Sequence, residues 1–223
     1  MHFNILFFTI VAKFIIYNDR NLSLGGVVID LINDRFEQRF SKHVLYCQGL
    51  TAQLIKYAPY MNLQNPKRMA HTNVQLSESK IWVTGGLQIN QVFKVRDLKS
   101  TQFISVDKDK PAYDGPELPF SIANHSMVMV NSKNIYIVGG KQNGEDHSKK
   151  TWIVDSDLNF AVAEGPSLNN RIKYGGNSVA KMNVNGKDVL IAICFKFEKV
   201  KFEILDTTSP NQKWKEGNSI SNY

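Results

Sequence analysis

The chain has 223 residues, of which 43% are hydrophobic and 21% are charged, values typical of a globular protein that can bury a core. Its 27 lysines and arginines outnumber its 20 aspartates and glutamates, which gives a formal net charge of +7, but the basic residues occur in short groups. This spacing favours an ordinary solvated surface and argues against nucleic-acid binding, which would need a clustered basic stripe.

The N-terminal residues 3–16 are almost entirely apolar, so a targeting segment has to be considered. The run is too short to span a bilayer, Lys13 interrupts it, and Phe-Ile-Ile-Tyr follows where small residues would mark a cleavage site. We therefore expect strands of a folded domain, no membrane association and a cytoplasmic location. A signal peptide over residues 1–17, and hence secretion, is the alternative.

The next part of the chain resembles a degenerate copy of a pattern that recurs later. Residues 27–30 (VVID) are followed by Phe36, as an apolar strand ending at Asp is followed by an aromatic residue in the later copies. We predict that strands over residues 4–12 and 13–17 precede this phrase, and that residues 1–58 form a degenerate blade. Residues 41–57 fit no position of the repeat.

An internal repeat is the strongest signal in the sequence. Residues 81–86 (IWVTGG) and 135–140 (IYIVGG) begin 54 residues apart, and His71 and His125, which precede them, have the same separation. Another 54 residues on, residues 189–194 (VLIAIC) form a third apolar run without the two glycines. The repeat therefore predicts three similar structural units.

Each run is followed by a second phrase, in which an aromatic-led strand ends at an aspartate and another aromatic residue comes later. The three sets are Phe93, Asp97 and Phe103; Trp152, Asp155 and Phe160; and Phe202, Asp206 and Trp214. A period of about 54 residues with four short apolar segments is typical of a propeller blade. We predict blades over residues 59–115, 116–167 and 168–223, within a single domain.

The paired glycines have a physical reason in such a unit. Glycine turns the chain with positive φ and lets a neighbouring main chain approach where a Cβ would prevent it. In the third copy residues 194–202 alternate apolar and polar side chains almost without a gap, which predicts a tight hairpin in place of the longer loop.

The double glycine after a hydrophobic strand, the aromatic strand and a Trp-like position resemble the kelch repeat from Pro66 to the C-terminus. Trp214 matches the family's tryptophan, whereas Phe103 and Phe160 stand there in the other copies. The resemblance implies an all-β, kelch-type β-propeller with three clear blades and a degenerate N-terminal one. Four blades at most fit in the chain, so we expect an incomplete ring, open to self-association through its blade edges. A minimal closed ring and a larger ring completed by another chain are the alternatives.

No catalytic motif accompanies the repeat. The sequence lacks GxSxG, HExxH and the P-loop pattern, and Cys47 and Cys194 lack zinc-ligand spacing. We predict that the chain is not an enzyme, has no cofactor or metal, and uses its repeated histidines for structural hydrogen bonds. The alternative is a fragment of a secreted copper oxidase resembling galactose oxidase, because such oxidases share the kelch-like fold.

The predicted topology also predicts where a partner binds. In a four-stranded meander, the loops that join strands two and three share a face with the loops between blades, and recognition residues accumulate on loops of a rigid scaffold. The expected partner-binding residues are Arg68, Gln142, Asn143, Glu145, Asp146, His147, Lys149, Lys150, Asn170, Arg171 and Lys173.

We expect this cationic rim to dock an acidic peptide segment of another protein; an ordinary soluble loop is the alternative. The kelch resemblance implies a protein–protein interaction module, either a substrate adaptor or a cytoskeletal scaffold.

Overall fold

The computed structural model describes residues 14–17, 20–32, 35–48, 54–57, 68, 70–89, 95–105, 112–145, 148–171, 179–196 and 199–217. Every regular element in these ranges is a β-strand. Among the described residues there is no helix of the length and apolar character that crossing a membrane requires.

The first sheet is an antiparallel meander in the N-terminal part of the chain. Its strands are β1 (Phe14–Tyr17), β2 (Arg20–Ile32), β3 (Arg35–Gln48) and β4 (Leu54–Tyr57), in that spatial order. The predicted strand over residues 4–12 lies outside the described residues. Much of the segment 41–57, for which the repeat predicted no position, lies in β3 and β4, so the sequence pattern missed half of this sheet.

The second sheet contains the first diglycine unit. Its four strands are β5 (Thr72–Ser77), β6 (Lys80–Thr84), β9 (Thr101–Ser105) and β10 (Tyr113–Gly115), and the hairpin β7 (Leu87–Ile89) and β8 (Val95–Asp97) lies between β6 and β9. A strand does end at Asp97, as predicted, but it is not one of the four strands of the blade. Asp97 ends β8 of the inserted hairpin, and Phe103 lies inside the true third strand, β9.

The third and fourth sheets repeat this meander. The third consists of β12 (Ser126–Met129), β13 (Asn134–Val138), β15 (Thr151–Asp155) and β16 (Ala161–Glu164), with the short pair β11 (Ile122–Ala123) and β14 (Lys141–Gln142) at one end. The fourth consists of β17 (Val179–Val184), β18 (Lys187–Lys196), β19 (Lys199–Asp206) and β20 (Lys215–Glu216).

The last three sheets stack as the blades of a propeller. The first strands of the last three sheets, β5, β12 and β17, lie next to one another in that order. The prediction of an all-β, propeller-type fold is therefore confirmed, and its ring is not closed.

Two apolar clusters fill the spaces between neighbouring sheets. Trp82 and Phe103 of the second sheet face Ile135, Ile137 and Val154 of the third. On the other side of the third sheet, alternate side chains including Tyr136 and Val138 face a second set in the fourth, among them Leu190, Ala192 and Leu205. Because successive side chains of a strand point to opposite faces, one sheet serves two interfaces. A small sheet cannot remain folded alone, and this stacking stabilises it.

Aromatic side chains from the connections between third and fourth strands cover the preceding sheet. The Phe160 ring centroid lies 4.7 Å from that of Trp82 and 5.3 Å from that of Phe103. Trp214 is buried against the third sheet, and its indole N–H donates to the Thr151 hydroxyl at 3.2 Å. Phe160 and Trp214 thus have the covering role that the family's tryptophan position implies. Phe103 does not share it, because it is part of a strand.

The third copy of the repeat is one residue longer than predicted. The Ser156 N–H donates to the Lys133 carbonyl, and the Thr207 N–H donates in the same way to the Asp188 carbonyl. Asp188 therefore corresponds to Lys133, which lies 55 rather than 54 residues earlier. A shift of one residue moves every side chain of a strand to the opposite face, so Ile191, not Leu190, corresponds to Tyr136.

Candidate functional site

One end of the last three sheets carries the loops that join second and third strands together with the connections between sheets. We call this end the loop face. Backbone hydrogen bonds join its loops: the Gly86 N–H donates to the Ile122 carbonyl at 2.7 Å, and the Ile122 N–H donates to the Leu98 carbonyl at 3.0 Å. In the next unit β11 pairs with β14. The loop face is therefore a rigid platform, because backbone hydrogen bonds connect its loops to one another.

The diglycines make this close approach possible. Gly85 has a φ of +58°, and a Cβ on it would lie 2.2 Å from the Ile122 carbonyl oxygen. Gly140 has a φ of +88°, and its Cβ would lie 2.7 Å from the Ala123 carbonyl oxygen. No side chain fits at either distance, so these positions require glycine for both conformation and space.

His125 lies directly beneath the two diglycine loops, next to Gly85 and Gly140. Its Nε2 is 2.7 Å from the Thr84 hydroxyl, which links the third sheet to the end of β6. The ring is buried. A structural hydrogen-bonding role, as the sequence suggested for the repeated histidines, accounts for this position.

Arg68 does not lie on the exposed part of the loop face, contrary to the prediction. It is fully buried, and its guanidinium donates to the carbonyl oxygens of Gly85 and Ser100, both at 2.9 Å. Burial lowers the pKa of Arg68 to about 10, against a weaker raising effect of Asp114. These hydrogen bonds from its terminal nitrogens hold the first diglycine loop, so Arg68 is a structural residue rather than a partner contact.

Gln142 and Asn170 are also buried, which removes them from the exposed rim. The Asn170 side-chain amide donates to Glu203 at 3.0 Å and to Glu216 at 2.8 Å. Three further residues predicted to bind a partner, Asp146, His147 and Lys173, lie outside the described residues.

Asn143 and Glu145 are exposed at the tip of the loop that follows β14. The Asn143 side-chain oxygen accepts from the Ser121 N–H at 3.0 Å, and the Asn143 N–H donates back to the Ser121 carbonyl. The tip is also tied to the inserted hairpin, since the Gly144 N–H donates to the Asp97 carboxylate at 3.1 Å. The loop tip is therefore held from two sides, and Glu145 projects from a fixed backbone.

Lys149, Lys150 and Arg171 form the exposed cationic part of the loop face. Lys149 donates to the Asn169 carbonyl at 2.5 Å, and the Lys150 ammonium lies 5.2 Å from the centre of the Trp152 ring. Within the described ranges, none of the three forms an ion pair with a carboxylate. Their charges are therefore available to a partner.

Trp152 was not among the predicted binding residues, yet it lies next to this cationic group. Its half-buried ring stacks on Phe120 of the preceding connection, with ring centroids 4.5 Å apart and planes inclined by 27°. The sequence identified Trp152 as a strand residue, but the contact between its ring and the Lys150 ammonium is visible only in the folded structure. The arrangement presents lysines beside an aromatic surface.

The position of the fourth sheet that corresponds to Trp152 is occupied by a polar residue, Glu203. Glu203 is fully buried and accepts hydrogen bonds from the backbone N–H groups of Asn169 at 2.8 Å and Asn170 at 2.6 Å. Cys194 lies beside it, a free and buried thiol. Burial, with the adjacent Glu203 charge as a smaller cause, raises the pKa of Cys194 to about 12.

The part of the chain that the structure describes contains no group of three or more His, Cys, Asp or Glu side chains placed to hold a metal ion. The structural neighbours described below include an enzyme, but they do not make the copper-oxidase alternative better supported than the interaction module.

Stacked four-stranded sheets with a loop platform define a protein of the propeller class. No family model matches the chain. An F-box/kelch-repeat protein of Arabidopsis thaliana is 26% identical over 149 residues, which are 63% of this chain and 29% of that relative. This weak homology confirms the divergent kelch resemblance, and at a coarse level it supports a protein-interaction propeller. The chain thus spans less than a third of this curated relative.

Two solved structures support the same fold. YjhT superposes with a TM-score of 0.64 and 14% identity, over 96% of this chain and 66% of that one. A GH43 β-xylosidase/α-arabinofuranosidase from a compost microbial metagenome gives a TM-score of 0.56 and 10% identity, over 93% of this chain and 76% of that one. Both have propeller folds, and likeness at these identities concerns the fold alone.

The second of these structures corrects one prediction. We expected the chain not to be an enzyme, but a glycosidase is among the proteins that share its fold. The prediction of no enzyme, which rested on the absence of known catalytic motifs, was therefore wrong, because the same architecture carries catalytic sites in other proteins.

Proposed function

We propose that the chain is a protein-interaction propeller that captures an acidic peptide segment of its partner on the loop face. The observation that carries this proposal is the group of exposed cations, Lys149, Lys150 and Arg171, on loops fixed by backbone hydrogen bonds. A preorganised site loses little conformational entropy on binding, and opposite charge speeds encounter with a partner.

The half-buried Trp152 ring adds an apolar surface beside these charges. An acidic segment that also carries an apolar or aromatic residue would therefore fit better than a purely acidic one, since aromatic anchors contribute strongly at interfaces. The kelch homology supports the substrate-adaptor form of the proposal. The matched relative is named as an F-box/kelch-repeat protein, whereas nothing favours the cytoskeletal form.

Fluorescence anisotropy with a short labelled peptide of alternating Glu and Gly residues tests the site. The double variant Lys149→Ser/Lys150→Ser should raise the Kd about ten-fold, as expected for losing two exposed charge contacts. The control is Lys133→Ser/Lys213→Ser, which removes the same charge from exposed positions outside the loop face. Equal affinity in the two double variants would mean that only the net charge of the chain attracts the peptide, and the site would be refuted.

A second peptide, in which one Gly is replaced by Trp, tests the aromatic part of the proposal. We expect it to bind the unmodified chain more tightly than the purely acidic peptide. Melting temperatures should stay unchanged in both double variants, because the replaced side chains are exposed.

A further inference from the structure

The connections that leave the second and third sheets begin with the same phrase. Residues 115–118 (GPEL) start at the last residue of β10, and residues 165–168 (GPSL) start directly after β16. The two phrases differ in one position, where Ser167 of the second replaces Glu117 of the first. Both of these side chains are exposed. One connection therefore presents a carboxylate where the other presents a hydroxyl.

Backbone hydrogen bonds hold the two connections in the same way. The Leu118 N–H donates to the Lys99 carbonyl at 2.9 Å, and the Leu168 N–H donates to the Lys149 carbonyl at 2.8 Å. Each lysine lies two residues before the third strand of its sheet, which is β9 in one case and β15 in the other. Lys99 and Lys149 are therefore equivalent residues of the loop face.

The lysine of the second sheet already has a partner within the chain. The Lys99 ammonium lies 2.6 Å from the Glu117 carboxylate, and both side chains are about half exposed. In the third sheet Ser167 stands in place of the glutamate, and Lys149 forms no ion pair within the described ranges. Lys149 donates to the Asn169 carbonyl at 2.5 Å, which positions its ammonium. Because an ammonium has three N–H donors, this bond leaves it able to bind a carboxylate as well.

The next pair of equivalent residues adds to the difference in charge. The carbonyls of Ser100 and Lys150 accept from the N–H groups of Gly85 and Gly139, the first glycines of the two diglycine loops. The Ser100 hydroxyl accepts from the Arg68 guanidinium at 3.2 Å and so has a structural role. At these positions the second sheet has one lysine, neutralised by a glutamate, whereas the third has two lysines and no carboxylate.

We propose that Lys149 forms a carboxylate subsite of the loop face, which Ser167 leaves open and which a Glu or Asp side chain of the partner fills. The Lys99–Glu117 pair is the same subsite occupied from within the chain. Ser167 is therefore a specificity-determining residue, since charge complementarity at the rim of an interface governs the choice of partner. This assignment rests on the proposed capture of an acidic peptide and identifies one of its contacts.

Carbodiimide cross-linking, which joins a carboxylate to an amine that touches it, tests this geometry in the full chain without peptide. Mass spectrometry of the digested protein should find a link between Lys99 and Glu117 in the unmodified chain. Ser167→Glu should add a link between Lys149 and the introduced carboxylate, whereas Ser167→Gln, which has the same size but no acid, should add none. Absence of the new link in Ser167→Glu would overturn the equivalence of the two positions and the subsite with it.

Fluorescence anisotropy with the peptide of alternating Glu and Gly residues tests the subsite in binding. Ser167→Glu should raise the Kd about five-fold, the upper range for one exposed ion pair, because its carboxylate competes for Lys149. Ser167→Gln should bind as tightly as the unmodified chain. Leu158→Glu adds the same charge at an exposed residue of the turn between β15 and β16, at the opposite end of the third sheet, and should change the Kd much less.

Opening the equivalent position of the second sheet should have the opposite effect. Glu117→Ser should lower the Kd about two-fold, because it releases Lys99 to the peptide, and carbodiimide should then attach the peptide to Lys99 as well as to Lys149. Glu78→Ser is the control, since it removes the same charge from the exposed turn between β5 and β6. An equal gain of affinity in both variants would show that only net charge matters, and the subsite would be overturned.

The outcomes separate this proposal from the proposed function. If Lys149→Ser/Lys150→Ser weakens binding but Ser167→Glu does not, peptide capture stands and the subsite is overturned. A peptide that fails to bind the unmodified chain would overturn both. Melting temperatures should be unchanged in Ser167→Glu and Glu117→Ser, because both positions are exposed, so a loss of affinity cannot come from unfolding.

Discussion

Glu203 and Asn170 replace, by hydrogen bonds, a contact that aromatic rings make in the preceding sheet. Asn170 donates to Glu203 from both its backbone N–H and its side-chain amide. At the same positions of the third sheet, Trp152 stacks on Phe120. Both pairs fasten the connection between two sheets to the strand below it, and the polar pair is fully satisfied, as a buried polar group must be.

We therefore expect that the Asn170–Glu203 pair can be replaced by an aromatic pair only if both residues are changed together. Glu203→Ala should lower the free energy of unfolding by about 3 kcal/mol, because it leaves several buried donors without an acceptor. Urea denaturation measures the change, and Glu145→Ala, at an exposed loop tip, is the control.

The double variant Asn170→Phe/Glu203→Trp extends this prediction. It should be more stable than the sum of its single variants by about 1 kcal/mol, the contribution of an aromatic pair beyond its buried area. Additive losses would show that the two positions are not coupled.

Gly140 and Gly144 separate the two reasons for glycine in the loops. Their φ angles are similar, +88° and +84°, but an added Cβ would approach the main chain only at Gly140; at Gly144 it would meet nothing within 4 Å. Alanine at either position strains the backbone, by about 1 kcal/mol. Gly140→Ala should therefore destabilise the chain by about 2 kcal/mol more than Gly144→Ala, since it also forces atoms apart. Thermal unfolding compares the two variants, and equal losses would contradict the close-approach argument.

Cys194 predicts a decline of stability in alkaline solution. The folded thiol has a pKa raised to about 12, whereas an unfolded thiol loses its proton near pH 9. Above pH 9 the unfolded chain therefore binds fewer protons than the folded one, so stability falls as pH rises and is fully present below that value. The urea midpoint should drop between pH 8 and 10, and the drop should be smaller in Cys194→Ala. The same drop in both proteins would assign the effect to other groups.

Much of the fold could be predicted because the two glycines of each clear repeat mark the end of its second strand. The diglycines of residues 85–86 and 139–140 fix where each second strand ends, and the two equal copies have the same register in the structure. The third copy lacks these glycines, and the six apolar residues 189–194 are compatible with either of two alignments to the earlier copies. The predicted alignment of this copy was therefore wrong by one residue. The hydrogen bond from Thr207 to Asp188 reveals the offset, and so does the packing of Leu190 and Ala192 against the third sheet.

The rest of the site depended on contacts that sequence spacing does not encode. Arg68 looks like any surface cation until the carbonyl oxygens of Gly85 and Ser100 are seen around it. Asp97 matched the predicted end of a strand, but that strand belongs to the inserted hairpin of β7 and β8 and not to the four-stranded blade. Trp152 was assigned to the strand correctly, but its stacking on Phe120 requires the connection between sheets to be placed in space.

Backbone hydrogen bonds fasten the loop face at Glu145 and Lys150, and the side chains of these two residues are exposed. Recognition can therefore change at these two positions while folding does not, because the peptide groups that hold the loops there are present in every amino acid. Natural variation at Glu145 and Lys150 would alter the choice of partner at little thermodynamic cost. An experimenter could exchange these two side chains and keep the sheets intact, whereas Asn143 and Gly144 would have to be retained.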